Sequence, residues 1–237
     1  FDRITRPEHL LSALPRAMRV MTDPAECGPV CLAFCQDVQA EAHDWPEAFF
    51  APRVWHVRRP APDAGELSRA VEAIRAARAP VIVCGGGVIH SGAEAALADF
   101  ATRHAIPVIE TQAGKSALAQ AHPMNLGAAG VDGSAAANRA AQAADLVIAV
   151  GTRLQDFTTG SRTLFTAPII AVNVQPHDAG KHGAMALVAD ARVALEALGR
   201  ALGDLRFDPD MQARADWLAA VEAHCATVPD GLPTDAQ

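Results

Sequence analysis

The chain has 237 residues, half of them apolar and a fifth charged, which is enough to bury a sizeable core and too apolar for a disordered chain. Its net charge of -7 and the lack of a Lys/Arg-rich run argue against a nucleic-acid partner, because displacing counterions from phosphates needs clustered positive charge. No stretch approaches the roughly 18 uncharged apolar residues of a membrane helix, and the first residues, FDRITRPEHLL, carry no signal-peptide apolar region, so a cytoplasmic location without a membrane partner is expected.

Pro7 and Glu8 open a segment of helical apolar spacing, EHLLSALPRAMRV, which Pro15 is expected to kink or interrupt. After Asp23, Pro24 and Gly28 the run PVCLAFC reads as a strand. That strand has no preceding strand to pair with, so residues 1–40 read as the tail of a domain whose body lies elsewhere. Cys27, Cys31 and Cys35 are spaced as if for a metal, but residues four apart on a strand lie too far apart to share one ion. Together with Cys84 and Cys225 they are expected to be buried structural cysteines. Residues 41–62, rich in Pro, Trp and Arg, read as a connector.

From Asp63 the periodicity is clean. Asp63 with Glu66, and Ser91 with Glu94, form capping-box patterns for helices running to about Arg78 and through His104. Between them Pro80 resets the chain into the strand VIVC, Gly85, Gly86 and Gly87 make a turn, and Pro107 later opens the strand VIE. There follow a helix from about Ser134 to Ala143, the strand DLVIAV ending at Gly151, the strand PIIAVNV, a short LVA strand and a helix begun by Asp190. Apolar strands alternating with helices predict an α/β fold, a doubly wound parallel sheet with helices on both faces, over residues 63–203. Past Gly203 and Pro209 an amphipathic helix, MQARADWLAAVEAHC, and a polar tail ending GLPTDAQ make residues 204–237 a linker helix leaving that domain.

Three loops carry candidate chemistry. VIVCGGGVIHSG sets glycines between a strand and a helix, where backbone N–H groups hold a phosphate or where the glycines merely allow a tight turn; Glu110, at the end of the next strand, is placed to meet a ribose hydroxyl. Lys115, one of only two lysines, follows a strand end and reads either as a ligand contact or as a solvated charge. In VGTRLQDFTTG, Gly151, Thr152 and Arg153 follow a strand and suit an anion, unless Arg153 pairs with Asp156 to pin the loop. No metal-ligand spacing, G-x-S-x-G elbow or nucleophile–base pair is present, so no catalytic or metal-binding residue is assigned.

Read together, FDRITRPEHLLSALPRAMRVMTDPAECGPV, QDVQAEAHDWPE, PVIVCGGGV, ETQAGKSAL, HPMNLGAAGVDGSAAANRAAQAADLVIAVGTRLQDFTT and VNVQPH resemble the thiamine-diphosphate enzymes of the acetolactate-synthase-like superfamily, over nearly the whole chain. The combination of QDVQAEA, ETQAGKSA and GTRLQDFTT most resembles the trihydroxycyclohexane-1,2-dione hydrolases of myo-inositol catabolism. The resemblance implies that residues 1–40 end a pyrimidine-binding domain, residues 63–203 form the central domain, and residues 204–237 lead toward a pyrophosphate-binding domain. It also implies a parent enzyme that uses thiamine diphosphate and Mg2+, opens a small cyclic diketone, and works as a homodimer or homotetramer. The family's activating glutamate and Mg-diphosphate motif match nothing here, so the chain alone is expected to be inactive. Some relatives hold FAD in this domain; the matching positions are Gly85 to Gly87, Thr111, Gln112, the GAAG loop around Gly130, and Gly151 with Arg153. Their acidic residue corresponds to Asn173, a departure that argues against a tightly bound flavin. The alternatives are an acetolactate synthase or 2-oxoacid decarboxylase, and a stand-alone nucleotide-binding module.

Overall fold

A computed structural model describes residues 1–225; the expected polar tail and the side chain of Cys225 lie outside the described residues. The chain forms two compact units that divide between Pro60 and Ala61.

In the first unit, β1 (Asp2–Ile4) and β2 (Leu32–Phe34) pair in parallel, with α1 (Leu10–Thr22) between them in sequence. The second strand therefore does have a preceding partner, contrary to expectation. Asp-Arg-Ile is too short and polar to read as a strand, and only its pairing with β2 makes it one. Nor does Pro15 interrupt the helix: α1 runs through it, with Ala13 and Ala17 buried on either side. Ile4, Ala13 and Val38 form the small core. Because β2 spans only three residues, Cys31 and Cys35 flank it; Cys27 and Cys31 are exposed and Cys35 is half-buried, which leaves Cys84 as the buried cysteine among those described. Residues 41–60 contain a single helical turn at Glu47–Phe50, where Trp45 stacks on Phe49 at 5.1 Å.

The second unit is a six-stranded, wholly parallel sheet. Its strands are β3 (Pro80–Cys84), β4 (Val108–Glu110), β5 (Asn125–Ala128), β6 (Leu146–Val150), β7 (Ile169–Asn173) and β8 (Met185–Val188), in the order β5-β4-β3-β6-β7-β8. The sequence reading missed β5, whose Asn-Leu-Gly-Ala lacks β-branched residues and is held by pairing with β4. Alternate residues of each strand feed two cores. Ile82, Ile148, Ile170 and Leu187 meet α2 (Ala64–Ala76), α4 (Glu94–His104) and α8 (Ala191–Leu202) on one face. On the other, Val81, Val83 and Val147 meet α5 (Ala135–Ala143). Helices on both faces of a parallel sheet give the expected doubly wound fold.

The predicted helix starts hold in part. Asp63 caps α2 by accepting from the Gly65 and Glu66 N–H groups, but Glu66 does not close a box: its carboxylate accepts from Val188 N–H at 2.7 Å, tying α2 to β8 instead. Ser91 caps nothing. The triglycine segment is not a turn but starts a short helix, α3 (Gly86–His90), and the Ser91 hydroxyl donates back to the Gly87 carbonyl at 2.7 Å, leaving α4 to start after Ala93 without a side-chain cap. Ser134 and Asp190 cap α5 and α8. Beyond α8, α9 (Gln212–Cys225) begins against the sheet edge, where the Arg214 guanidinium donates to the Asn125 carbonyl at 3.0 Å.

Candidate ligand cleft

The strand order reverses between β3 and β6: β4 and β5 lie outward on one side, β7 and β8 on the other. Loops leaving the two central strands diverge there, which is where open α/β sheets hold ligands. A cleft of about 320 Å³ occupies this place, between the loops after β3, β4 and β6.

One wall is the backbone crossing of α3 over the end of β6. Gly87 N–H donates to the Gly151 carbonyl at 2.8 Å, and a Cβ on Gly87 would lie 2.6 Å from Gly151 Cα, so the two chains touch only because both residues are glycine. Gly151 also adopts φ +61°, a left-handed conformation that favours glycine. The Gly85 N–H is likewise used, by the Val150 carbonyl at 2.9 Å. Two of the three triglycine N–H groups thus serve packing, and Gly86 and Gly87 line the cleft by their bare backbone.

The second wall follows β4. Thr111 is buried, its hydroxyl accepting from Gly114 N–H at 3.1 Å, and Gln112 reaches across to the Asp132 carboxylate at 3.1 Å. The third is the loop after β6, with buried Thr152, exposed Arg153 and the largely exposed Phe157 ring. No Arg153–Asp156 ion pair forms among the described residues, so Arg153 is not pinned as the alternative reading required.

The predicted site residues separate into two groups. Gly86, Gly87, Thr111, Gln112, Gly151 and Arg153 come together at the cleft. Lys115 is exposed and does not line it. Gly130 sits behind it, at φ +98° and with no room for a side chain against the Phe157 carbonyl, so it seats the Phe157 turn. Glu110 is the clear correction. It is 7% exposed and its carboxylate accepts from Leu118 N–H at 3.2 Å, so it points into the core and cannot reach a ribose in the cleft. Burial pushes its carboxyl above the usual range, against the pull of the Leu118 N–H.

The sequence reading placed Thr152 beside Gly151 and Arg153, where the cleft has it, but missed the Phe157 ring and the contacts of the Asn173, Lys181 and His182 side chains with the Thr152, Arg153 and Leu154 carbonyls. A larger cavity of about 480 Å³ lies between α4 and α8, away from the strand ends; its rim mixes Arg103, Arg192 and Arg200 with Asp99 and Glu196. Among the described residues no group of three or more His, Cys, Asp or Glu could hold a metal ion, and no helix is long and apolar enough to cross a membrane.

Residues 67–198 match the family model described as thiamine pyrophosphate enzyme, central domain. The chain is 52% identical over 201 residues to a 3D-(3,5/4)-trihydroxycyclohexane-1,2-dione hydrolase of Clostridium perfringens, a match covering 84% of this chain and 32% of that protein. It is 50% identical over 205 residues to the protein of the same name from Geobacillus thermodenitrificans, covering 86% of this chain and 32% of that one. Among solved structures, one provisionally described as a thiamin diphosphate-dependent enzyme of Mycobacterium smegmatis superposes with a TM-score of 0.63 at 25% identity, over 88% of this chain and 39% of that chain. The chain thus spans about a third of the length of the curated relatives it matches. A doubly wound sheet with its cleft at the β3/β6 reversal, together with a family match over 67–198, means that this chain belongs to the thiamine pyrophosphate enzyme central-domain family.

Proposed function

We propose that this chain is the central part of a thiamine-diphosphate-dependent hydrolase that opens the ring of trihydroxycyclohexane-1,2-dione in myo-inositol breakdown. The observation that carries the reading is the 52% identity over 201 residues, a length that exceeds the family-model match and so takes in sequence outside the central domain. On this reading residues 1–40 end the pyrimidine-binding domain, residues 41–62 connect, residues 63–203 form the central domain, and residues 204–237 lead toward the pyrophosphate-binding domain. The whole enzyme is a soluble cytoplasmic homodimer or homotetramer that acts on a small cyclic diketone.

Thiamine diphosphate supplies the carbanion chemistry when bound, with Mg2+ on its diphosphate. The described residues offer no acidic or histidine cluster for that ion, so they do not fit the Mg-diphosphate. Their role is structural and recognitive: the sheet holds neighbouring domains in register, and the cleft, through Gly86, Gly87, Thr111, Gln112, Gly151 and Arg153, takes an anionic group, with Arg153 as its charge. Asn173 speaks against FAD in that cleft, because its side-chain amide donates to the Thr152 carbonyl at 3.0 Å and is not an acid free to receive a ribose hydroxyl. The inward turn of Glu110 weakens the stand-alone nucleotide-binding alternative in the same way.

The test is turnover. The full-length protein with thiamine diphosphate and Mg2+ is expected to consume the dione and to leave pyruvate untouched, and the 237-residue chain alone to do neither. Acetolactate formation from pyruvate without dione hydrolysis would move the assignment to the acetolactate synthases.

A further inference from the structure

Three consecutive carbonyls of the loop after β6 each accept a hydrogen bond from a different side chain of the crossover between β7 and β8. Asn173 Nδ2 donates to the Thr152 carbonyl at 3.0 Å. Lys181 Nζ donates to the Arg153 carbonyl at 3.4 Å, and His182 Nε2 meets the Leu154 carbonyl at 3.0 Å, which fixes this nitrogen as the protonated one. The donors come from two places: Asn173 ends β7, and Lys181 and His182 stand in the turn after α7 (Pro176–Ala179). Both parts of the arrangement depart from relaxed geometry. Leu154 sits at φ +48° and His182 at φ +58°, left-handed conformations that non-glycine residues adopt only when their surroundings hold them there. Lys181 is itself fixed by an ion pair with Asp178 at 2.5 Å.

A carbonyl oxygen carries negative partial charge, and in a trans peptide the following N–H points the opposite way. Drawing the carbonyls of residues 152 to 154 toward the crossover therefore removes three acceptors from the side facing the cleft. It also turns the N–H groups of Arg153 and Gln155, both cleft-lining residues, away from the crossover. The Leu154 N–H is already held by the Thr152 hydroxyl at 3.2 Å. What this loop leaves for the cleft is the Arg153 guanidinium and backbone donors without its own three carbonyl oxygens, the composition of an anion site.

We propose that Asn173, Lys181 and His182 are positioning residues that make this cleft selective for a phosphorylated anion by holding the Thr152–Leu154 carbonyls out of it. The proposal rests on the anion-cleft reading above. Asn173 is the discriminating position: an acid there would set carboxylate oxygen against the Thr152 carbonyl and force that peptide to turn.

The experiment titrates the full chain calorimetrically with inorganic pyrophosphate and compares Arg153→Ala, Asn173→Asp, His182→Ala and His182→Gln. Arg153→Ala tests the cleft and is expected to weaken binding about tenfold, the size of one lost charge-assisted contact. Asn173→Asp and His182→Ala are expected to weaken it about threefold to tenfold each, with melting temperature unchanged, and His182→Gln, whose amide replaces the Nε2 donor, to restore it. Undiminished binding by Asn173→Asp and His182→Ala, while Arg153→Ala fails, overturns the proposal and leaves the cleft reading intact. Wild type that does not bind, or that binds no better than Arg153→Ala, overturns both. Should Asn173→Asp lower the melting temperature, the His182→Ala and His182→Gln pair decides.

Discussion

Gly87 and Gly199 have the same side chain and opposite prospects for replacement. A Cβ at Gly87 meets the Gly151 backbone at 2.6 Å, and backbone cannot step aside, so Gly87→Ala is expected to cost about 1–3 kcal/mol, read as a fall in the urea midpoint, and to close the cleft. A Cβ at Gly199, inside α8, meets the Phe100 ring at an ordinary 3.6 Å, and Gly199→Ala is expected to raise the midpoint by about 0.5–1 kcal/mol through lower unfolded-state entropy. Glu110 gives a pH signature. Its carboxyl is raised by burial, so the folded state holds its proton at a pH where the unfolded chain has lost it. Its contribution to stability is complete below the ordinary glutamate range and declines as pH rises through the raised value. Glu110→Gln is expected to melt higher than wild type toward neutral pH and to lose that advantage in acid; parallel melting curves across pH would refute the assignment. The sequence showed Glu110 at a strand end but not which way it faces, since a side chain there turns to cleft or core according to neighbours such as Leu118 and Asn125 that lie 8 and 15 residues on.

At the level of elements, the C-terminal turn of α4 is fastened to the segment that follows α8. The buried His104 donates Nδ1–H to the Leu205 carbonyl at 2.6 Å, its own carbonyl accepts from Phe207 N–H at 2.9 Å, and Arg206 donates to the Thr102 and Arg103 carbonyls. The same turn of α4 also meets the chain before β5, where the Thr102 hydroxyl and His122 Nε2 lie 3.1 Å apart. Burial holds both imidazoles below their usual range, with Arg103 adding repulsion at His104 and Arg214 at His122. For lowered groups the stabilising contribution is present above the ordinary imidazole range and is lost as pH falls through the lowered values. Hydrogen exchange at the Phe207 amide, corrected for intrinsic rate, is expected to lose protection in that acidic window; constant protection would sink the argument. Sequence could not supply this fastening, because its partners stand about a hundred residues apart. By contrast β3, β6 and β7 were legible, their apolar runs being buried on both faces, whereas β1 and β5 were not, because pairing and not composition makes them strands. Caps divided similarly: Asp63, Ser134 and Asp190 cap the helices they were read to begin, and Glu66 and Ser91 were diverted by groups outside the capping pattern.

For the molecule as a whole, the division between Pro60 and Ala61 follows exposed, irregular chain containing Arg53 and Arg58. Brief trypsin treatment is expected to cut first after one of these, releasing a fragment from the second unit that keeps its own cooperative melt; first cuts within α2 to α8 would contradict the division. The strand order has a kinetic corollary. Within β3 to β5 and within β6 to β8, every paired strand is also the next strand in the chain, so each trio can zip from local crossovers. The two trios meet only where Pro80 aligns with Leu146 and Cys84 with Val150, a closure over some 66 residues. Closing such a loop costs chain entropy before its contacts repay it. Gly87 reaches Gly151 across that same seam, so the cleft exists only once the two trios have joined, and a chain with the seam still open has no site to offer a ligand.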